Sequence, residues 1–227
     1  QSGQGADEVF GGYFWYLKMM EEKNGTRLDR FKKYYFDREH SELGEMFERK
    51  YINENYTAEF IENKLENSDS REFIDSVLQL DVTTLIVDDP IKRVDNMTMA
   101  FGLEARMPYM DYELVELAMS CPNEIKIGKS GKAILKQIAR GLLPDSVIDR
   151  PKGYFPVPAL KYVRGNFLEF MRDVINSEAC KNRGLFRRRY LDMLLDAPEL
   201  HHTRIMGSKL WQVALLEFWF QRNIDPI

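Results

Sequence analysis

Apolar residues in this chain recur mainly at the three- and four-residue spacing of helix faces, and strict strand-like alternation is scarce. Thr57 is placed to cap a short helix carrying Phe60, Ile61 and Leu65 on one face. After the polar cluster Asn67, Ser68 and Asp69, Ser70 stands as an N-cap, and Phe73, Ile74, Val77 and Leu78 keep helical spacing. The stretch from Asp81 to Val87 is β-branched, yet its helical surroundings favour helix. Pro90 interrupts or starts a helix. Beyond it Val94, Met97, Met99, Ala100, Phe101 and Leu103 make a segment apolar enough to predict burial, closed by Pro108. Asp111 is placed to cap the next helix, with Glu113 near the positive end of its dipole and Leu114, Val115, Leu117 and Ala118 on its apolar face. Ser130 is the expected cap of another, with Ile134, Leu135 and Ile138 inward and Gly141 as its stop. A last helix from about Ser208 to Gln221 carries Leu210, Trp211, Ala214, Leu215, Phe218 and Trp219.

These patterns predict a mostly α chain. It lacks the strand–helix alternation needed to build a parallel sheet by itself. With 227 residues, no internal repeat and no evident linker, it reads as one domain, or one domain plus an extension. The methionines 97, 99, 107 and 110 and the Trp211–Trp219 helix read as core.

Charge changes the picture by exclusion. The 32 basic and 36 acidic residues give a net charge of −4, so there is no global basic field to attract nucleic acid or an anionic membrane. No apolar run is long enough for a transmembrane helix. Two cysteines, Cys121 and Cys180, cannot build a disulfide scaffold or a four-cysteine zinc site, and a soluble chain of the reducing cytoplasm is expected. His40, His201 and His202 have no carboxylate or cysteine companions at ligand spacing, and Arg187, Arg188 and Arg189 read as a solvated face. The chain opens at Gln1 inside a glycine-rich motif, which suggests a longer protein with part of its machinery upstream.

Three segments carry chemistry. The first, Ser2-Gly3-Gln4-Gly5-Ala6-Asp7-Glu8-Val9-Phe10-Gly11-Gly12-Tyr13, is neither a Rossmann fingerprint nor a Walker loop. It offers backbone N–H groups and a hydroxyl beside two carboxylates, which can hold a nucleotide edge while a carboxylate takes Mg²⁺. A glycine-rich turn with Asp7 as a helix cap accounts for it equally well. In the second, residues 88 to 111, the charged Asp95, Glu104 and Arg106 interrupt an apolar stretch. An internal salt bridge suits Glu104 and Arg106, whereas Arg93 is better placed to face a ligand. In the third, Arg150-Pro151-Lys152-Gly153-Tyr154-Phe155-Pro156, a lysine precedes a glycine–aromatic loop, a setting suited to stabilising a departing phosphate. The default reading of any one lysine is a surface charge.

Together the segments resemble the C-terminal synthetase domain of the asparagine synthetase family. The Ser-Gly-x-Gly-Ala-Asp-Glu-x-Phe-Gly-Gly-Tyr run matches residues 2 to 13. The Asp-Asp-x-x-x-(Lys/Arg)-x-Asp-x-x-(Ser/Thr)-Met-Ala-x-Gly-x-Glu-x-Arg-x-Pro-(Phe/Tyr)-x-Asp pattern matches residues 88 to 111. Gly131, Lys132, Leu135 and Lys136 resemble that family's helix before a Leu-Pro turn, and Arg150, Lys152 and Phe155 its mobile active-site loop.

The resemblance implies that residues 1–227 are the C-terminal helical part of an α/β ATP-pyrophosphatase domain. Its parallel sheet, pyrophosphate loop and N-terminal glutaminase domain would lie upstream. ATP and Mg²⁺ are the implied cofactors. A small carboxylate would be activated as an acyl-adenylate, and glutamine-derived ammonia would convert it to an amide, with AMP and pyrophosphate released. Ser2, Gly3, Gln4 and Gly5 would contact nucleotide or substrate, Asp7 would hold Mg²⁺, and Lys152 and Arg93 would be catalytic. A homodimer is left open.

Gln4 stands where typical asparagine synthetases carry Glu, and a neutral amide loses the charge that attracts a substrate ammonium. Residues 150 to 162 look most like the branch that makes N-acetylglutaminylglutamine amide, whose substrate has no ammonium. Two other readings remain: a non-catalytic interaction protein on the same fold, and a β-lactam-forming synthetase that closes a ring without ammonia.

Overall fold

The structure is a computed structural model, and it describes residues 1–70, 72–151 and 163–225. In chain order its α-helices begin with α1 (Ala6–Phe10), α2 (Phe14–Glu21), α3 (Arg27–Tyr35), α4 (His40–Met46) and α5 (Tyr56–Glu66). They continue with α6 (Phe73–Leu80), α7 (Lys92–Met99), α8 (Tyr112–Ser120), α9 (Asn123–Lys126) and α10 (Ala133–Ala139). The remainder are α11 (Asp145–Ile148), α12 (Gly165–Asn176), α13 (Glu178–Arg183), α14 (Arg188–Asp196) and α15 (Lys209–Asn223). Among the described residues the chain is mostly helical and forms no strand, as the periodicity predicts; isolated bridges such as Phe47 with Phe186 are its only β pairing.

The chain forms two compact units, residues 1–34 with 57–151 and residues 35–56 with 152–227. Periodicity reports which face of a local segment is apolar, not which remote segment covers it. Met46 and the partly buried Leu43 and Phe47 therefore join the C-terminal core of Met171, Ile175, Leu194, Leu210 and Val213. In that second unit Glu217, wholly buried on α15, is held by Arg183 Nε at 3.0 Å, and Arg183 also reaches Asp225 at 2.6 Å. Ser208 caps α15 by accepting from the Trp211 N–H (3.2 Å), so the predicted last helix is found within two residues of its expected ends.

In the first unit Asp111 caps α8 as expected, its Oδ1 accepting from the N–H groups of Glu113 (3.0 Å) and Leu114 (3.4 Å). Phe73, Ile74, Val77 and Leu78 are buried on α6. Residues 81–85 and 87–91 continue α6 as wide π-type turns, which agrees with the helical reading of 81–87 and accommodates Pro90, since the wider register spares the N–H that proline lacks. Other expectations fail locally. Glu72 rather than Ser70 is the residue before α6, and Thr57 lies inside α5. Ser130 instead accepts from the Lys136 ammonium (2.9 Å), and α10 starts after Lys132.

The largest correction concerns residues 94–103. Met97, Phe101 and Leu103 are 68%, 83% and 62% exposed, and no residue of α7 is buried. Leu117, Ile138, Leu142 and Trp219 are exposed as well, so the predicted apolar faces of α8, α10 and α15 are only partly covered. Hydrophobicity states that a face favours burial; it does not state that this chain supplies the cover. Among the described residues no helix is long and apolar enough to cross a membrane.

Candidate active site

The glycine-rich segment folds as the expected turn into a helix. Gly5 ends the turn at φ +94°, a left-handed conformation that glycine adopts at no steric cost, and α1 begins at Ala6. A β-carbon at Gly5 would fall 2.6 Å from Met110 Sδ, so the turn lies directly against the end of the second motif. The Ser2 N–H donates to the Arg106 carbonyl at 2.8 Å. The Phe10 ring meets Tyr109 edge-on, 6.1 Å between centroids. Val9 and Phe10 are buried with Ala118, against Val82, Leu114, Val115, Ile134 and Leu135. The apolar positions of α1 thus dock it where residues 2–13 and 106–111 meet.

Asp7 is not a cap. It lies within α1, and its carboxylate pairs with the Lys132 ammonium at 2.9 Å. Lys132 is the residue that sequence reasoning undervalued. It adopts φ +54°, a left-handed conformation costing a lysine about 1–2 kcal/mol, and its N–H donates to the Phe10 carbonyl at 3.0 Å. The preceding Gly131, at φ +73°, crosses α1 so closely that a β-carbon there would sit 2.7 Å from the Gly11 carbonyl oxygen. The Gly131-Lys132 dipeptide before a helix was the available signal, because a close backbone crossing needs the glycine.

Asp7 and Glu8 diverge, as neighbours on a helix must. Glu8 turns inward, is buried, and accepts from the Tyr13 hydroxyl at 2.8 Å. Burial first, then the charge and hydrogen bond of Glu8, with Asp7 and Asp81 adding to them, hold the Tyr13 phenol far above the ordinary tyrosine range. It stays a donor at every physiological pH. Tyr13 stacks on Trp15 (4.3 Å, 15° between planes), and the wholly buried Tyr16 donates to buried Asp81.

Elsewhere the motif residues lie further out. Arg93 is exposed and pairs with Asp89 one turn before it (2.7 Å). Glu104 and Arg106 pair as expected (2.7 Å), but on the surface rather than in an interior. Lys152 and the 153–158 loop lie outside the described residues. Among the described residues no group of three or more His, Cys, Asp or Glu side chains could hold a metal ion. Asp7, the carboxylate that the motif assigns to a metal, is engaged by the Lys132 ammonium.

The structure thus brings together residues 2–13, 106–111 and 131–132, three stretches far apart in the chain. A sequence profile of the asparagine synthase family matches residues 1–221. The chain belongs to the asparagine synthase family. It is 27% identical over 260 aligned positions to asparagine synthetase [glutamine-hydrolyzing] 1 of Bacillus subtilis (strain 168), an alignment covering 99% of this chain and 40% of that protein. Against asparagine synthetase [glutamine-hydrolyzing] 3 of the same organism it is 27% identical over 211 positions, covering 86% and 32%. A putative asparagine synthetase [glutamine-hydrolyzing] of Mycobacterium tuberculosis (strain ATCC 25618 / H37Rv) is 33% identical over 100 positions, covering 43% and 15%. The chain spans two fifths or less of the length of these relatives. No solved structure matches it.

Proposed function

We propose that this chain carries one side of the adenylating site of a glutamine-dependent, ATP-consuming amide synthetase. The observation that supports this reading is the convergence of the glycine-rich turn, the Arg106–Met110 stretch and Lys132 around the outward carboxylate Asp7. In this reading the turn at Ser2, Gly3, Gln4 and Gly5 receives nucleotide and substrate edges. Lys132 holds Asp7 outward, and Tyr13 satisfies Glu8 so that it does not compete. Asp7 would hold Mg²⁺ in place of its ammonium partner. When bound, Mg²⁺ lowers the barrier to adenylation by countering the charge of the departing pyrophosphate. Lys152 and Arg93 supply further positive charge to that leaving group.

The remaining components belong to the rest of the protein: the parallel sheet, the pyrophosphate-binding loop and a glutaminase domain that supplies ammonia. The uncovered apolar residues Met97, Phe101 and Leu103 support a packed neighbour of that kind. Residues 1–227 alone are then expected to make no adenylate, and robust pyrophosphate release from them with ATP, Mg²⁺ and carboxylates would refute this division of the site.

For the acceptor, the neutral Gln4 favours a carboxylate without a free ammonium, N-acetylglutaminylglutamine ahead of aspartate. Full-length protein assayed for ATP–pyrophosphate exchange with each acceptor in parallel decides between them. Exchange with aspartate alone would overturn the substrate assignment, and Gln4→Glu should shift preference toward aspartate.

A further inference from the structure

We infer that Tyr13 is a positioning residue whose hydrogen bond to Glu8 fixes Gly12 as the floor beneath the Asp7–Lys132 pair. The inference rests on the role proposed above for Asp7, but its geometry is independent of any ligand. Gly12 has no room for a side chain: a β-carbon would fall 2.1 Å from Lys132 Cε and 2.2 Å from Asp7 Oδ1. The ion pair therefore lies across the α-carbon of residue 12, and whatever sets that atom sets the pair. On one side Gly12 is tied by its N–H to the Asp7 carbonyl (2.7 Å). On the other it is bonded to Tyr13, whose hydroxyl returns to Glu8 one residue beyond Asp7 (2.8 Å) and whose ring stacks on Trp15. The loop from α1 to α2 is thus closed both by backbone and by the phenol. The phenol closure cannot ionise away, because burial and the surrounding carboxylates keep its proton in place. Glu8, buried, would lose its tyrosine donor if Tyr13 were Phe, and residues 11–13 would relax toward α2. A Tyr13 that merely filled space would leave the pair unchanged on losing its hydroxyl.

The test reads the pair directly. Full-length protein is treated with a trace of acetic anhydride, and acylation of Lys132 is compared by mass spectrometry with that of Lys136 on the same helix. Asp7→Asn, which removes the partner, sets the upper limit. Tyr13→Phe is expected to raise Lys132 acylation about threefold or more, the scale of losing one partly exposed ion pair. Because Tyr13→Phe alone strands a buried carboxylate and can fail to fold, Tyr13→Phe with Glu8→Leu removes both partners together and is expected to give the same rise. Lys132 acylation at the wild-type ratio in a folded Tyr13 variant, or in Asp7→Asn, would overturn the inference. That readout needs no nucleotide, so its failure stands apart from failure of the adenylation reading. In ATP–pyrophosphate exchange, Tyr13→Phe should raise the KM for Mg²⁺–ATP more than it changes kcat, and the opposite split would also count against it.

Discussion

Gly131→Ala probes the crossing that brings Lys132 to Asp7. Gly131 holds φ +73°, and an added β-carbon would stand 2.7 Å from the Gly11 carbonyl oxygen and 3.4 Å from Gly12 Cα. Both obstacles are backbone, so no side chain can swing aside. The left-handed conformation costs alanine about 1–2 kcal/mol. Forcing the two segments apart adds about 1–3 kcal/mol, the range for overpacking. The Lys132 N–H to Phe10 bond, 3.0 Å, would lengthen and forfeit part of about 1 kcal/mol. The sum is a loss of about 3 kcal/mol, or a Tm lower by about 6–12 °C in a chain of this size. Urea unfolding followed through Trp15 fluorescence, with Trp211 and Trp219 replaced by Phe, measures it in the first unit. Gly44→Ala is the control, read in the second unit through Trp211 and Trp219 with Trp15 replaced by Phe: Gly44 lies in α4 with no atom near its absent β-carbon, and alanine should stabilise by about 0.5–1 kcal/mol. A Gly131→Ala variant within about 0.5 kcal/mol of wild type, the size of an ordinary surface substitution, would refute the close crossing.

Further outcomes follow from buried groups. Lys126 is wholly buried with Asp75 3.5 Å away, and burial lowers its pKa below that of a free lysine despite Asp75, Cys121 and Glu72, which raise it. Between that lowered value and the unfolded value near 10.5 the unfolded chain binds more protons, so this group's contribution to stability rises with pH there. Lys126→Met should remove that rise, and an unchanged pH slope of the urea midpoint would contradict it. Cys180 is buried and its thiol is pushed up to about 11, first by burial and then by Glu217, whereas Cys121 is partly exposed. Native protein should therefore show one fast and one slow thiol toward a disulfide reagent, and two equally fast thiols would contradict the placement of Cys180.

Helix placement was legible wherever a segment's own residues decide it. The Asp111 cap, the α6 apolar face and the Ser208 start of α15 are local chemistry. What could not be read was which remote surface meets each face. The Met97–Leu103 stretch has the composition of an interior, yet Met97, Phe101 and Leu103 lie exposed. The two-unit division depends in the same way on Met46 meeting Met171 and Leu194. Within the site, the glycines and Asp7 were legible as a motif, but the partner of Asp7 was not. Lys132 lies 125 positions away in sequence and is brought back by Gly131, whose function is a backbone approach rather than a side-chain pattern. The inward turn of Glu8 toward Tyr13 follows from the Gly11–Gly12 reversal, which spacing alone does not reveal.

Asp7, held by Lys132 beside the glycine-rich turn, is proposed to belong to an adenylating site. Carboxylate-dependent ATP–pyrophosphate exchange by full-length protein, compared with its Asp7→Asn variant, tests this most directly. Exchange is expected in the wild type and a loss of about 100-fold or more in the variant, the scale of removing a principal electrostatic contact to the transition state. Equal exchange in a folded Asp7→Asn protein, or none in the wild type with any carboxylate, would contradict it.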